Sequence, residues 1–317
     1  MKTSLIMTVY NEGKTIREQI DSFFNQTKIP DEIIILDSLS KDDTTKIIKS
    51  YKDRRIKLIE KRADMGTARN IAIKRAKNEI ILVTDGGCLL DKNWVHEISK
   101  PFEDKSVDVV GGIYLPFSKN FFEKCEGAVV CKNSEEINEK KFIPSSRSLA
   151  FRKGVWIDVG GYPKHEIGGE DTRFVLNIIN KNYKIIINKK AVVYWRMRSP
   201  LKNFVRQFYL YAKGEVRSGN LVFHQLRFVL VSLLLFPVYL FFLIFSLFFF
   251  KSLFILLLVS AFLYFLYNGI KVAVKVKDIR GIYYGFFLSF LKRFFYFSGA
   301  FSELLFPGKD KYKNENY

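Results

Sequence analysis

Cysteine, histidine and proline are scarce in this chain: its 317 residues include three Cys, three His and eight Pro. Cys88, Cys125 and Cys131 are odd in number and lack paired spacing, which excludes a disulfide-stapled scaffold and gives no zinc or iron–sulfur pattern. Reduced thiols in a cytosolic compartment are the expectation. His96, His165 and His224 stand in no arrangement that makes a ligand set or a base. Neither GxGxxG nor GxxxxGKS/T occurs, which disfavours dinucleotide oxidoreductases and P-loop NTPases. An apolar leader is missing from the N-terminus, so no signal peptide is expected and the first 199 residues are expected to stay cytoplasmic. Acid is also short, with 32 Asp and Glu against 51 Lys and Arg and a formal charge of +19. Apolar residues are abundant at 48%, enough to offset the ordering entropy of a packed core and to exclude a disordered chain.

Those apolar residues are unevenly placed. From Phe228 to Phe250 no residue is charged, and a helix needs roughly 20 such residues to cross a bilayer. A second run covers Ser252 to Ile270 with only Lys251 between them, which predicts a membrane hairpin spanning about 228–250 and 252–270. A third stretch, Ile282 to Phe306, carries Lys292 and Arg293 in its middle, where a charge at the bilayer centre costs at least about 2.5–3.5 kcal/mol. An interfacial helix is therefore expected over 282–306. Its Gly285, Ser289, Lys292, Tyr296, Gly299 and Glu303 form one narrow stripe, and the alternative is a spanning helix that packs this stripe against its neighbours. Ahead of the first span, Ser199 and Pro200 supply a cap, and Leu201, Phe204, Val205, Phe208 and Tyr211 or Ala212 recur at helical spacing. This predicts an amphipathic interface helix and linker over 199–225, a membrane domain over 226–306 and a polar tail over 307–317.

Lys213, Arg217 and Arg227 precede the first span, and Lys271, Lys275, Lys277 and Arg280 follow the second, which places both flanks on the cytoplasmic side of a multi-pass plasma-membrane protein. Residues 200–317 hold 15 Lys and Arg against 5 Asp and Glu. Anionic lipid is the partner such a balance implies. Nucleic acid is not expected, because the basic residues flank apolar spans instead of interleaving with stacking aromatics on a polar face.

The first 198 residues alternate between two periods. β-rich runs fall at Leu5–Val9, Ile33–Asp37, Ile56–Glu60, Ile80–Asp85 and Val107–Tyr114, and the gaps carry helical spacing such as Ile16, Ile20, Phe23 and Phe24. Strand and helix in alternation predict an α/β fold, Rossmann-like, with a mostly parallel sheet. Such sheets bind ligands beyond the carboxyl ends of their strands, and there the chain is polar: Thr8-Val9-Tyr10-Asn11-Glu12, Asp37 to Thr44, and Thr84-Asp85-Gly86-Gly87. Singly, each patch has a structural explanation. Asp37 and Ser40 can cap a βα turn, Asp64 can cap the helix containing Arg69, and Asp85-Gly-Gly can be a tight turn.

Taken in order with Met65-Gly66-Thr67-Ala68-Arg69-Asn70 and Gly168-Gly169-Glu170-Asp171, these blocks resemble the family 2 glycosyltransferases, whose GT-A fold binds nucleotide sugars. The likeness runs roughly from Thr3 to Arg198. Pro144 to Arg152, continuing to Gly160-Gly161-Tyr162-Pro163, is similar to the family's segment between metal motif and catalytic carboxylates. The resemblance implies inverting transfer of a sugar from a nucleoside-diphosphate sugar to an acceptor hydroxyl. It places Thr8, Tyr10 and Glu12 around the nucleoside, Asp37 on a base N–H, and Arg69 on the diphosphate, with Arg147 as a further donor-side cation. Asp85 takes the first position of the DXD motif, where a carboxylate holds Mg²⁺ or Mn²⁺.

Gly87 stands where the second acid is usual, and Trp195 instead of His occupies the late strand segment from which some relatives draw a ligand. Arg147, Arg196 or Arg198 can supply part of the positive charge in its place. Asp171 is the general base by resemblance, assisted by Glu170; from the residues alone, two acids in the first turn of a helix also suit its dipole. Trp156 and Tyr162 either wall an acceptor pocket or pack a loop, and Cys88 is expected to pack. With the membrane hairpin, the resemblance implies an enzyme acting on a lipid-linked glycan for cell-surface polysaccharide. Its alternatives are a polyprenyl-phosphate sugar synthase and a catalytically silent GT-A-like membrane subunit. QxxRW is absent, which disfavours a pore-forming synthase.

Overall fold

The computed structural model describes residues 1–164, 168–197, 199–218 and 236–307. His165, Arg198 and His224, residues 219–225 of the expected 199–225 interface helix and linker, the first eight residues (228–235) of the expected 228–250 span, and all but Pro307 of the 307–317 tail lie outside the described residues.

Central strands come from apolar runs that are buried along their whole length, as parallel strands covered on both faces must be. β1 (Thr3–Val9), β2 (Glu32–Asp37) and β4 (Ile80–Asp85) are of this kind, with β3 (Ile56–Glu60) half-covered at the edge. They form the parallel order β3-β2-β1-β4. Beyond β4 the sheet becomes mixed, continuing β7-β6-β8-β5, where β5 is Cys88–Leu90, β6 Val109–Phe117, β7 Leu149–Arg152 and β8 Ile185–Arg196. β7 runs antiparallel to both of its neighbours and β5 antiparallel to β8, so four of the seven pairings are parallel. The α/β expectation holds, and the parallel character is concentrated in the first half.

Helices cover both faces. On one face Ile16, Ile20 and Phe23 of α1 (Ile16–Phe24) and Trp94 of α4 (Trp94–Ser99) pack on Leu5, Met7, Ile33 and Ile35. On the other, Ala68 and Ala72 of α3 (Met65–Arg75) and Phe174 and Val175 of α7 (Glu170–Asn180) pack on Ile6, Ile34, Leu36 and Val83. Burying each large apolar side chain contributes about 1.5–3 kcal/mol, so this two-sided core is the main source of stability for the sheet.

After β8 the chain is helical. α8 (Leu201–Ser218) does not lay its apolar stripe on a membrane: Phe204, Phe208 and Ala212 are buried against Leu288, Tyr296 and Ala300 of the helix Gly281–Leu305. Small residues permit the approach, since a Cβ on Gly299 would lie 2.2 Å from the Tyr209 carbonyl oxygen. Lys213 reaches Glu303 at 3.1 Å and Tyr209 Oη meets Ser302 Oγ at 3.0 Å. The stripe on helix 281–305 therefore packs on its neighbours, with Gly285 against Val272 at the other end. Its opposite side leaves Tyr283, Phe287, Phe294 and Phe301 exposed.

Helix Lys251–Val276 is, among the described residues, the one long and apolar enough to cross a membrane. Ile255, Leu256, Phe262 and Leu263 on it are more than half exposed. The preceding helix, Phe236–Phe249, folds back along it, with the Tyr239 hydroxyl donating to the Leu257 carbonyl.

Candidate active site

Register sets the site's edge. Thr8 is paired with Asp85 and Val9 with Asp37, so the ends of β1, β2 and β4 align. Because side chains alternate along a strand, Asp85 faces the α3 and α7 side while Asp37, one pair further on, falls on the α1 side. The turn after Asp85 is tight, with Gly87 at φ +77 and the Gly86 N–H 3.3 Å from the Thr8 carbonyl. Gln19 holds it: Nε2 donates to the Asp85 carbonyl at 2.7 Å and Oε1 accepts from the Gly87 N–H at 3.0 Å. Sequence reasoning passed over Gln19, although a glutamine inside the apolar stripe of α1 was the available signal.

The centre of the edge is Arg69. Asp64 caps its helix, accepting from the Thr67 N–H at 2.9 Å. Arg69 is 1% exposed; its Nη2 donates to Asp85 Oδ1 at 2.6 Å and its Nη1 to Glu170 Oε1 at 2.7 Å, with the guanidinium 5.2 Å from the centre of the Tyr162 ring. One planar fork thus ties the end of β4 to the start of α7. Burial works against the Arg69 charge, but Asp85 and Glu170 outweigh it and hold its pKa well above the ordinary value. Burial raises the Glu170 carboxyl above the usual range, while Arg69 pulls it down and Asp171 pushes it up. The Arg69 side chain thus lies beneath the edge, tied to both carboxylates.

Asp171 is half-buried at the start of α7 behind Gly168 and Gly169, both at positive φ. Its Oδ1 accepts from the Thr172 N–H at 2.8 Å and its Oδ2 lies 3.4 Å from the Ser146 N–H. The Ser146 hydroxyl meets Tyr162 Oη at 2.9 Å, and Tyr162 stacks on Phe174 at 4.0 Å. Asn70 grips the same loop, donating to the Tyr162 carbonyl and accepting from the Tyr162 N–H and the Trp156 indole N–H. Tyr162 and Trp156 therefore pack the loop against α3. Gly66 is required there, because a Cβ would sit 2.0 Å from the Pro163 carbonyl oxygen.

Arg147 supplies the second cation. Its guanidinium lies 4.1 Å from the Trp195 ring and 5.0 Å from the Tyr114 ring, and Nη2 donates to the Tyr211 hydroxyl at 3.1 Å. Burial opposes its charge, but Tyr211, Tyr114 and Asp85 raise its pKa well above the ordinary value. Trp195 thus has a cation–π task where a histidine would offer a metal ligand. In the sequence Tyr211 entered only as a position of the apolar stripe ahead of the first span, and Tyr114 only as the end of a β-rich run. Arg196 lies at the Gly87 turn through its N–H, 3.1 Å from the Gly87 carbonyl, but its side chain pairs with Glu18.

Of the residues expected around the nucleoside, Tyr10 is 54% exposed, Thr8 is buried, and Glu12 accepts from the Thr15 hydroxyl. The loop between β1 and α1 and the loop between β2 and α2 (Thr44–Ser50) are zipped together by Asn11 N–H to Ser40 Oγ and Lys41 N–H to Asn11 Oδ1, both 2.8 Å. Asp37 is fully buried, and both its oxygens accept from Ser40. The structure therefore brings Asp85, Glu170 and Asp171 together around Arg69, and leaves Asp37 in its own turn.

Among the described residues no group of three or more acidic, His or Cys side chains gathers for a metal. What the edge offers is Asp85 and Glu12. A Cβ on Gly87 would lie 3.8 Å and 3.9 Å from the two Glu12 carboxylate oxygens, so Glu12 lines the space that the second motif acid would enter. Two carboxylates plus a diphosphate suit a hard cation that keeps water ligands.

Paired carboxylates at the carboxyl edge of a half-parallel, half-mixed sheet define the GT-A class of glycosyl transferases. The family described as "Glycosyl transferase family 2" matches residues 4–146, and "Glycosyl transferase family group 2" matches residues 80–270. The chain belongs to glycosyl transferase family 2 and is an enzyme. It is 31% identical over 220 residues to an O-antigen chain rhamnosyltransferase, WbaN, of Salmonella anatum, covering 65% of this chain and 70% of that one. Over 241 residues it is 26% identical to a dolichyl N-acetyl-alpha-D-glucosaminyl phosphate glucuronosyltransferase of Methanococcus voltae, covering 68% and 74%. In fold it is similar to the mannosyltransferase PcManGT of Pyrobaculum calidifontis, solved in complex with GDP-Man and Mn²⁺, at a TM-score of 0.53 and 21% identity. That likeness covers 68% of this chain and 62% of the mannosyltransferase.

Proposed function

We propose that the protein is an inverting, membrane-bound glycosyltransferase that moves a sugar from a nucleoside-diphosphate donor to a lipid-linked glycan at the cytoplasmic face of the cell membrane. The observation that carries this is the Arg69 fork, which holds Asp85 on the leaving-group side within one guanidinium of Glu170, next to Asp171 on the attacking side. The relatives from Salmonella anatum and Methanococcus voltae, named for O-antigen and dolichyl-phosphate glycans, support the acceptor class. Residues 1–198 form the catalytic domain in this reading. α8 joins it to a membrane-associated part in which helix 251–276 crosses the bilayer and helix 281–305 lies at the interface, its far aromatic side toward lipid.

Asp171 accepts the proton of the acceptor hydroxyl as that oxygen bonds to the anomeric carbon from one side. The bond from that carbon to the diphosphate oxygen breaks on the other, and the centre inverts. The hydroxyl becomes acidic only as the new bond forms, so a carboxylate within reach can take its proton, and Asp171 stands in the first turn of α7, where the helix dipole favours negative charge. Arg147 faces the departing diphosphate, and Thr8, Tyr10 and Glu12 line the nucleoside side. Asp85 and Glu12 would hold Mg²⁺ or Mn²⁺, whose charge would offset that of the diphosphate. Arg69 keeps the two carboxylate sides in register, and Glu170 acts through it.

The test is transfer by the full chain in detergent, with a panel of nucleotide sugars and polyprenyl-diphosphate glycans as acceptors and the product's anomeric configuration read by NMR. An inverted linkage on the lipid diphosphate glycan is expected. Retention of configuration, or sugar placed directly on polyprenyl monophosphate, would reject this reading.

A further inference from the structure

Arg147 is held differently from Arg69. Two rings bear on its guanidinium, Trp195 with its centre 4.1 Å from Cζ and Tyr114 at 5.0 Å, and the rings meet each other edge to face at 5.9 Å. Rings attract a cation by its face and leave it free to turn in its own plane, whereas hydrogen bonds at the rim fix where each N–H points. Two such bonds are present. Nη1 donates to the Ser145 hydroxyl at 3.3 Å, two residues away on the same loop, and Nη2 donates to the Tyr211 hydroxyl at 3.1 Å, from a helix 64 positions further on. Among the described residues, Tyr211 is thus the rim contact that a distant element brings to this cation.

Its surroundings place this fork between the two halves of the site. Trp195, on which it rests, is paired across β5 and β8 with Cys88, next to the Gly87 turn that follows Asp85. The residue before Arg147, Ser146, has its N–H 3.4 Å from Asp171 Oδ2. α8 reaches the same region: a Cβ on Gly168, in the turn that leads to Asp171, would lie 3.7 Å from the Gly214 Cα and 3.9 Å from the Leu210 carbonyl oxygen. The helix is also fixed from behind, because Tyr209 and Lys213, on either side of Tyr211, grip Ser302 and Glu303 of helix 281–305. A hydroxyl mounted on a helix held on two sides preorganises the cation it touches.

We propose that Tyr211 is a positioning residue for donor binding: its hydroxyl turns the Arg147 fork toward the diphosphate of the nucleotide sugar. This rests on the donor-side role given to Arg147 above and adds the group that aims it. Tyr211 takes no part in the bond exchange and acts on the diphosphate only through Arg147. A phenylalanine in its place would keep the ring's edge contact with Phe208, whose centre lies 6.2 Å away, and remove only the rim bond.

The experiment measures binding of UDP, GDP and dTDP, and of the matching monophosphates, to the full chain in detergent by calorimetry at fixed Mn²⁺, and carries forward the diphosphate bound most tightly. Tyr211→Phe should weaken that diphosphate about tenfold, the scale of one hydrogen bond to a charged group, and the monophosphate by less than about twofold. Arg147→Lys, which keeps the charge and loses the fork, should show the same selectivity. In the double variant the loss should match that of Arg147→Lys alone, because a residue acting through another adds nothing once that other is changed. Losses that add in full, or equal weakening of monophosphate and diphosphate in Tyr211→Phe, would overturn the proposal. So would a wild-type KM for donor in transfer by Tyr211→Phe, an outcome that leaves the glycosyltransferase reading standing. If the selective, non-additive losses are found but no sugar reaches a lipid diphosphate glycan, the positioning role stands and that reading fails.

Discussion

The sheet edge and the C-terminal helices handle the same two materials, charge and apolar surface, in opposite ways. At the edge, charge is buried and matched: one guanidinium with 1% exposure serves two carboxylates, and the apolar residues of β1, β2 and β4 are covered on both faces. In the helices, apolar side chains such as Ile255, Leu256 and Phe262 point outward and cations collect around a cavity. The first arrangement is stable in water because it removes grease from solvent and gives the buried Arg69 guanidinium two carboxylate partners. In the reading proposed above, the second is stabilised beside a second solvent, the bilayer. The contrast teaches that a paired site and an apolar outer surface are built by different physics within one chain.

Asp171→Asn is the strongest way to probe the first region. Transfer should fall about 10²–10⁴-fold while donor binding, followed by thermal shift, stays near wild type. Loss of donor binding in parallel would mean that the edge is not divided into a leaving-group side and an attacking side. Next, Arg69→Met leaves Asp85 and Glu170 without their common partner and should cost about 3–5 kcal/mol in detergent unfolding. Lys271→Gln in the helices should shift the same transition by less than about 0.5 kcal/mol. Comparable shifts in the two regions would erase the distinction.

Leu256→Asp tests the second region directly. It should disfavour bilayer insertion by about 2.5–3.5 kcal/mol, seen as protein released by alkaline extraction, with the melting of the catalytic part unmoved. A smaller change than these is expected of Glu12→Gln at the edge, which should shift the Mn²⁺ concentration needed for nucleotide binding about tenfold, as expected for losing one carboxylate ligand. An unchanged Mn²⁺ titration would leave Asp85 to bind the ion without it.

Much of the edge was legible because parallel central strands are apolar along their whole length and stop at chemistry. Thr8, Asp37 and Asp85 each stand where such a run ends, and the two strands that β1 joins carry them into adjacent register. The burial of Arg69 was not legible, since its helix mixes polar and apolar residues without a clear stripe, and only the approach of α7 from 101 residues away closes it off. Asp37 illustrates the converse: a carboxylate in a suggestive position that is fully buried, each of its oxygens accepting from Ser40 of its own turn. β7 is too short to signal itself and β8 is interrupted by Asn188-Lys189-Lys190, so of the mixed half of the sheet only β6, the run at 107–114, was read from the sequence. α8 shows the limit of amphipathic patterning. Its stripe states that something apolar covers it, and whether that is lipid or the Gly299 side of another helix depends on residues about 90 positions away.

The pairing of Thr8 with Asp85 carries an engineering consequence. A slip of one residue in β4 would swing Asp85 to the α1 side and out of reach of Arg69, so lengthening the chain between α3 and β4 should disable the enzyme. The exposed bend at Lys52 and Arg54 lies at the far end of the strands and feeds only the outermost one. That bend is where a fluorescent reporter or affinity handle can be grafted with the carboxylate constellation left intact.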